Sequence, residues 1–119
     1  MKLKEIIPSE HQEQCFFIEW FRYEYPKIRI FAIPNGTRAS IGASVKAKKE
    51  GVSSGVPDLY IPEWKIWIEM KRQKKGVLSK NQKEWITYLE SIGDTVLVGK
   101  GAEDAINQLN LVVYKLHCK

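Results

Sequence analysis

The chain has 119 residues, 44% of them hydrophobic and 28% charged, which suits one globular domain with its own core. No apolar run approaches the ~20 residues of a membrane span, and the start, Met1 to Pro8, lacks the apolar segment and cleavage site of a signal peptide, so an intracellular, cytoplasmic protein is expected. The net charge of +5 is a modest excess, and the two cysteines, Cys15 and Cys118, have neither zinc-site spacing nor the setting of a disulfide framework.

Ser9 is a good N-cap, and Glu10 and Glu13 in the following turn complement a helix dipole. Phe17, Ile18, Trp20, Phe21 and Tyr25 then supply a wide apolar stripe, and Pro26 stops the helix. The β-branched and aromatic run from Ile28 to Ile33 predicts a strand, closed by a turn at Pro34-Asn35-Gly36. Residues 37–40 read as a loop and 41–50 as a helix ending at Gly51. Gly51 to Gly55 is a flexible lead into two short strands, 58–61 and 66–71, joined by Pro62-Glu63-Trp64-Lys65. After a basic loop at 72–78, Ser79 caps a helix that Gly93 closes. Asp94 to Val98 reads as a buried strand, Gly101 to Leu109 as a last helix, and Leu111 to Leu116 as an edge strand or a surface-docked tail. The whole is one domain, residues 1–119, of α/β class, with a mixed central sheet flanked by helices. The strand after the 79–92 helix can run parallel to the 66–71 strand through a crossover.

The hairpin carries the chemistry. A four-residue connection sets Ile61 opposite Ile66, Tyr60 opposite Trp67, Leu59 opposite Ile68 and Asp58 opposite Glu69. Alternation then puts Leu59, Ile61, Ile66, Ile68 and Met70 on one face, all apolar, and Asp58, Tyr60, Trp67, Glu69 and Lys71 on the other. Two carboxylates directly opposite have Cβ atoms about 4.5–5.5 Å apart, an arrangement that is costly unless something neutralises it. A divalent cation does so, because Mg²⁺ takes hard oxygen ligands, and Mn²⁺ would accept the same ones. Lys71, on the same face, reaches the same spot. Two acids and a lysine around a metal suit phosphodiester hydrolysis: the metal screens the phosphate and acidifies a water that the lysine orients or helps to deprotonate. Taken alone, Glu-x-Lys on a strand is more often a solvated edge; the acid opposite Glu69 separates the two readings.

Positive charge is grouped in Lys46, Lys48 and Lys49 and in Lys71, Arg72, Lys74 and Lys75, with Lys80 and Lys83 close behind. The second group begins inside the candidate site, so an anionic polymer is the natural partner, although solvated loops also carry such runs. Arg38, Lys46, Lys48 and Lys49, together with Arg72, Lys74 and Lys75, are candidates for phosphate contacts that position a nucleic acid without reading its sequence. Gly55, lacking a Cβ, lets backbone or a nucleic-acid strand come close to the site.

Pro57-Asp58, a spacer and Glu69-Met70-Lys71 match the signature of the PD-(D/E)XK nuclease superfamily. Gly55-Val56-Pro57-Asp58, Glu69-x-Lys71 and the helix opening Ser79-Lys80-Asn81-Gln82-Lys83-Glu84-Trp85 resemble its VRR-NUC branch, especially the small stand-alone members of phage type. Ser9-Glu10-His11-Gln12-Glu13-Gln14 and Ala32-Ile33-Pro34-Asn35-Gly36 look like the same group, so the resemblance runs over residues 9–110. It implies a restriction-endonuclease-like core, Asp58 and Glu69 as metal ligands with the backbone carbonyl of Met70 as a third, Lys71 as the catalytic lysine, and Gln82 beside the site. Glu10 fits the acid from the first helix that completes the metal shell, its spacing to Gln14 stacking the two on one face; Glu13 competes for that place, and both also fit plain exposed first-turn acids.

The activity implied is that of a Mg²⁺-dependent DNA endonuclease of phage or bacterial origin that nicks Holliday junctions or other branched DNA as a homodimer, with no small-molecule cofactor and no membrane partner. A general or restriction-type nuclease of the same fold, or a non-catalytic DNA-binding module, are the alternatives.

Overall fold

The computed structural model of the chain describes residues 6–34 and 41–118. The predicted turn at Asn35-Gly36, the loop 37–40 and the candidate phosphate contact Arg38 lie outside them.

Helix α1 (Glu10–Glu24) starts in a capping box: the Gln12 N–H donates to Ser9 Oγ at 3.1 Å, and the Ser9 N–H donates to Gln12 Oε1 at 2.9 Å. It ends before Pro26, where the Tyr25 N–H still donates to the Phe21 carbonyl. Strand β1 (Phe31–Ala32), helix α2 (Ile41–Lys49), strands β2 (Leu59–Ile61) and β3 (Ile66–Lys71), helix α3 (Lys80–Ser91), strand β4 (Thr95–Lys100) and helix α4 (Ala102–His117) follow. One sheet holds the strands in the order β1-β2-β3-β4. β1 and β2 run antiparallel, as do β2 and β3, whereas β4 lies parallel to β3, so the mixed α/β sheet is the expected one.

The hairpin register is the predicted one: Leu59 faces Ile68, Tyr60 faces Trp67, and Ile61 faces Ile66. A single turn of 3₁₀ helix, Pro62–Trp64, closes it, with Lys65 in the left-handed region at φ 53°. The two faces separate as the alternation requires. Leu59, Ile61, Ile66, Ile68 and Met70 are buried, packed with Phe17 and Phe21 of α1 and with Ala105, Leu109 and Val113 of α4. Burying these side chains stabilises the domain by about 1.5–3 kcal/mol each, before the entropy of ordering them is counted. A ring cluster of Phe21, Tyr25 and Trp64 closes the end of this core at the hairpin turn. The opposite face of β3 carries Trp67 and Glu69 and is met by α3.

Two elements differ from expectation. The strand predicted over 28–33 shrinks to Phe31–Ala32, which pair with Tyr60 and Leu59 of the three-residue β2. Ile28 and Ile30 pack on the core without a ladder. The residues Leu111 to Leu116 are neither an edge strand nor a separate tail but the continuation of α4. Ala105, Leu109 and Val113 recur every four residues without a Gly or Pro between them, so one buried stripe runs through both stretches.

Candidate active site

The site forms where the hairpin, α3 and the segment 51–58 meet. Asp58 stands one residue before the β2 ladder, its carbonyl accepting from the Ile33 N–H at 2.8 Å. Its side chain reaches across the hairpin, and Oδ2 accepts from the backbone N–H of Met70 at 2.7 Å. That bond holds the Asp58 carboxylate against the third strand beside Glu69, the opposition expected from the register.

Glu69 is 2% exposed. The Gln82 amide donates to its Oε1, and the Lys71 Nζ lies 4.0 Å from the same oxygen. Its Oε2 is buried and, among the described residues, no donor reaches it. Burial pushes the Glu69 carboxyl up to about 9, helped by hydrogen bonding to Asp58 and by the Asp58 charge, while the Lys71 ammonium pulls it down. A carboxyl in that position needs either a proton or a cation. The orphaned oxygen beside a second carboxylate therefore fits a hard divalent ion.

Gln82 reaches the site from the first turn of α3, which begins in a capping box: the Gln82 N–H donates to Ser79 Oγ at 3.2 Å and the Ser79 N–H to Gln82 Oε1 at 2.8 Å. With its oxygen held by Ser79, the amide can only present its NH₂ group to Glu69. Lys71 is buried to 8% exposure at the end of β3.

A cleft of about 440 Å³ opens beside Asp58 and Gln82, lined also by Glu10, Lys48, Ser53 and Ser54, with Glu69 and Lys71 behind its wall rather than on it. Glu10 thus stands on the wall of the same cleft as Asp58, while Gln14 lines a different groove with His11 and Cys15. Among the described residues, no three Asp, Glu, His or Cys side chains stand close enough to hold a metal by themselves, so Glu10 is not drawn up to Asp58 and Glu69. Of the basic candidates, Lys48 faces the cleft, Lys46 pairs with Glu50 at 3.9 Å on the surface, and Lys49 is exposed. Arg72, Lys74 and Lys75 are exposed in the turn that follows Lys71.

At Gly55 the close approach expected of it is made by backbone. At φ +92°, a Cβ there would fall 2.6 Å from the Asn81 carbonyl carbon, so it is the first turn of α3 that approaches. Ser53 and Ser54 complete this seam by accepting from Trp85 Nε1 at 3.2 Å and Asn81 Nδ2 at 3.3 Å.

Glu13, the rival of Glu10, is committed elsewhere. It is buried, its Oε2 accepts from Gln73 Nε2 at 2.9 Å, and its Oε1 accepts from the first N–H of α4, at Ala102, at 3.2 Å. Neither partner was foreseen. The signal lay in the periodicity: Glu13 shares the four-residue stripe of Phe17 and Phe21, an acid on an apolar face.

A mixed sheet of this topology, with an Asp at the hairpin mouth and Glu-x-Lys on the adjoining strand, defines a nuclease domain of the PD-(D/E)XK type. A solved structure described as a VRR_NUC domain protein superposes on it with a TM-score of 0.75 and 26% sequence identity, over 92% of this chain and 89% of that one. Neither any family model nor any curated protein matches the chain. That likeness in fold, with Asp58 and Glu69-x-Lys71 in place, supports membership of the VRR-NUC family.

Proposed function

We propose that the protein is a metal-dependent endonuclease that hydrolyses DNA phosphodiesters, acting on branched DNA such as a four-way junction. The observation that supports this reading best is the buried, unpartnered Glu69 Oε2 beside Asp58, with Lys71 and Gln82 both engaging the other oxygen. Asp58 and Glu69 would hold the cation, with the Met70 carbonyl as a further oxygen donor; Glu10, on the cleft wall, would join them only by moving in from its present place. A bound Mg²⁺ or Mn²⁺ would draw charge off the scissile phosphate and make an attacking water more acidic.

The chain's own groups divide the remaining work. Lys71 orients the attacking water and offsets the charge gathering on the phosphate oxygens. Gln82 fixes the rotamer of Glu69, so that Oε2 stays turned away from the helix. Lys48 on the cleft wall, with Lys46, Lys49, Arg38 and the run Arg72, Lys74 and Lys75, contacts the DNA backbone on either side. Each chain supplies one such site, and cutting two strands of a junction in concert takes two, so a homodimer is the working form.

The test is cleavage of a four-way junction, a flap, a linear duplex and a single strand side by side in Mg²⁺, with an Asp58→Asn control. Paired nicks in the junction support the proposal. Equal cleavage of every substrate would make the protein a general nuclease, and no cleavage of any, with binding intact, would make it a DNA-binding module. Sedimentation with and without junction DNA tests the dimer; a monomer throughout would count against junction resolution.

A further inference from the structure

The buried carboxylate of Glu13 lies outside the cleft, yet everything it holds leads back to Lys71. The Gly101 N–H donates to the Lys71 carbonyl at 2.8 Å, tying the end of β3 to the residue that precedes α4. Glu13 Oε1 caps that helix at Ala102, and Oε2 takes the side-chain amide of Gln73, two residues beyond Lys71. A carboxylate at a helix N-terminus is favoured by the dipole as well as by the bond. The three segments close so tightly that Gly101, at φ +91°, has no room for a Cβ: one would fall 2.7 Å from both Glu13 Oε2 and Gln73 Cγ. The turn beyond Gln73 then folds back onto Lys71, where a Cβ on Gly76 would fall 2.9 Å from the Lys71 Cβ.

From this arrangement we infer that Glu13 is a positioning residue, which clamps the turn 72–76 against Lys71 and so keeps its amine buried beside Glu69. The side chain of Lys71 is only 10% exposed although five single bonds separate its backbone from its charge, and a wall is what confines it. Gln73 is the movable part of that wall; α1 supplies the fixed post. The inference rests on the proposed catalytic use of Lys71, but its physical content, an enclosed amine, stands apart from activity.

The experiment measures the acetylation rate of Lys71 in the metal-free protein by mass spectrometry, with the kinetics of DNA cleavage recorded alongside. Gln73→Ala is the decisive variant, because the side chain is exposed and the cap on α4 is left in place. Acetylation of Lys71 should rise severalfold while exposed lysines such as Lys83 keep their rate, and kcat should fall about tenfold with KM within twofold. Glu13→Ala should do the same more severely, and Glu13→Gln should restore both readouts, since a reoriented Gln73 amide can accept from the new one. An unchanged Lys71 rate in folded Gln73→Ala overturns the inference. If the wild-type protein cleaves no DNA, the nuclease reading fails, and the acetylation comparison still decides the clamp.

Discussion

The amide of Gln82 donates to the buried Glu69 carboxylate while its oxygen accepts from the Ser79 N–H, so one side chain both starts α3 and orients the acid of the site. The bond between helix and strand is therefore part of the folding of α3. Gln82→Ala should cost about 1–3 kcal/mol by leaving a buried carboxylate oxygen without its donor, and should lower kcat by tenfold or more. Gln82→Glu keeps a capping-box acceptor but sets a second acid against Glu69, so it should be both less stable and less active than the retained cap alone predicts. Thermal melts and single-turnover cleavage check both.

Lys71→Met keeps the length of the side chain and removes the charge 4.0 Å from Glu69. Cleavage should drop by roughly 10²–10⁴, with the affinity for DNA in Ca²⁺ within a few-fold of wild type. An affinity that falls as far as the rate would assign Lys71 to binding.

The raised Glu69 carboxyl gives the metal-free protein a particular pH dependence. Between its ordinary value of 4.5 and about 9, the folded protein keeps a proton that the unfolded chain has released. The native state thus binds more protons over that window, and the contribution of this group to stability falls as pH rises through it. Denaturant midpoints measured in chelator should decline from pH 5 towards pH 9 by more in wild type than in Glu69→Gln. Identical slopes would deny the shift.

Gly55→Ala tests the seam between the segment 51–58 and α3. With φ at +92° and the Asn81 backbone 2.6 Å from the new methyl, either the turn or the helix has to move. A loss of at least about 2 kcal/mol is expected, together with reduced cleavage, because Asp58 and Gln82 lie on the two sides of that seam.

Local patterning accounts for what could be read in advance. The alternation in 59–61 and 66–70 determines the hairpin register, and Ser9 and Ser79 mark their helix starts, because both signals involve neighbours a few residues apart. The same alternation placed Asp58 by Glu69. Glu13 could not be assigned that way. Its partners, Gln73 and Ala102, lie 60 and 89 residues away and meet it only once α1 and α4 pack on the sheet. The short β1 is a similar case, since its ladder is made with Leu59 and Tyr60, 27 to 29 residues further along the chain.

The central claim is that Asp58 and Glu69 together hold a divalent cation in place of a proton. Titrating Mg²⁺ or Mn²⁺ into the metal-free protein by calorimetry, at pH 7.5 in two buffers of different ionisation enthalpy, tests it most directly. Saturable binding with release of a proton, lost in Asp58→Asn and in Glu69→Gln, is the predicted result. Binding that survives either substitution, or no binding at millimolar metal, would contradict it.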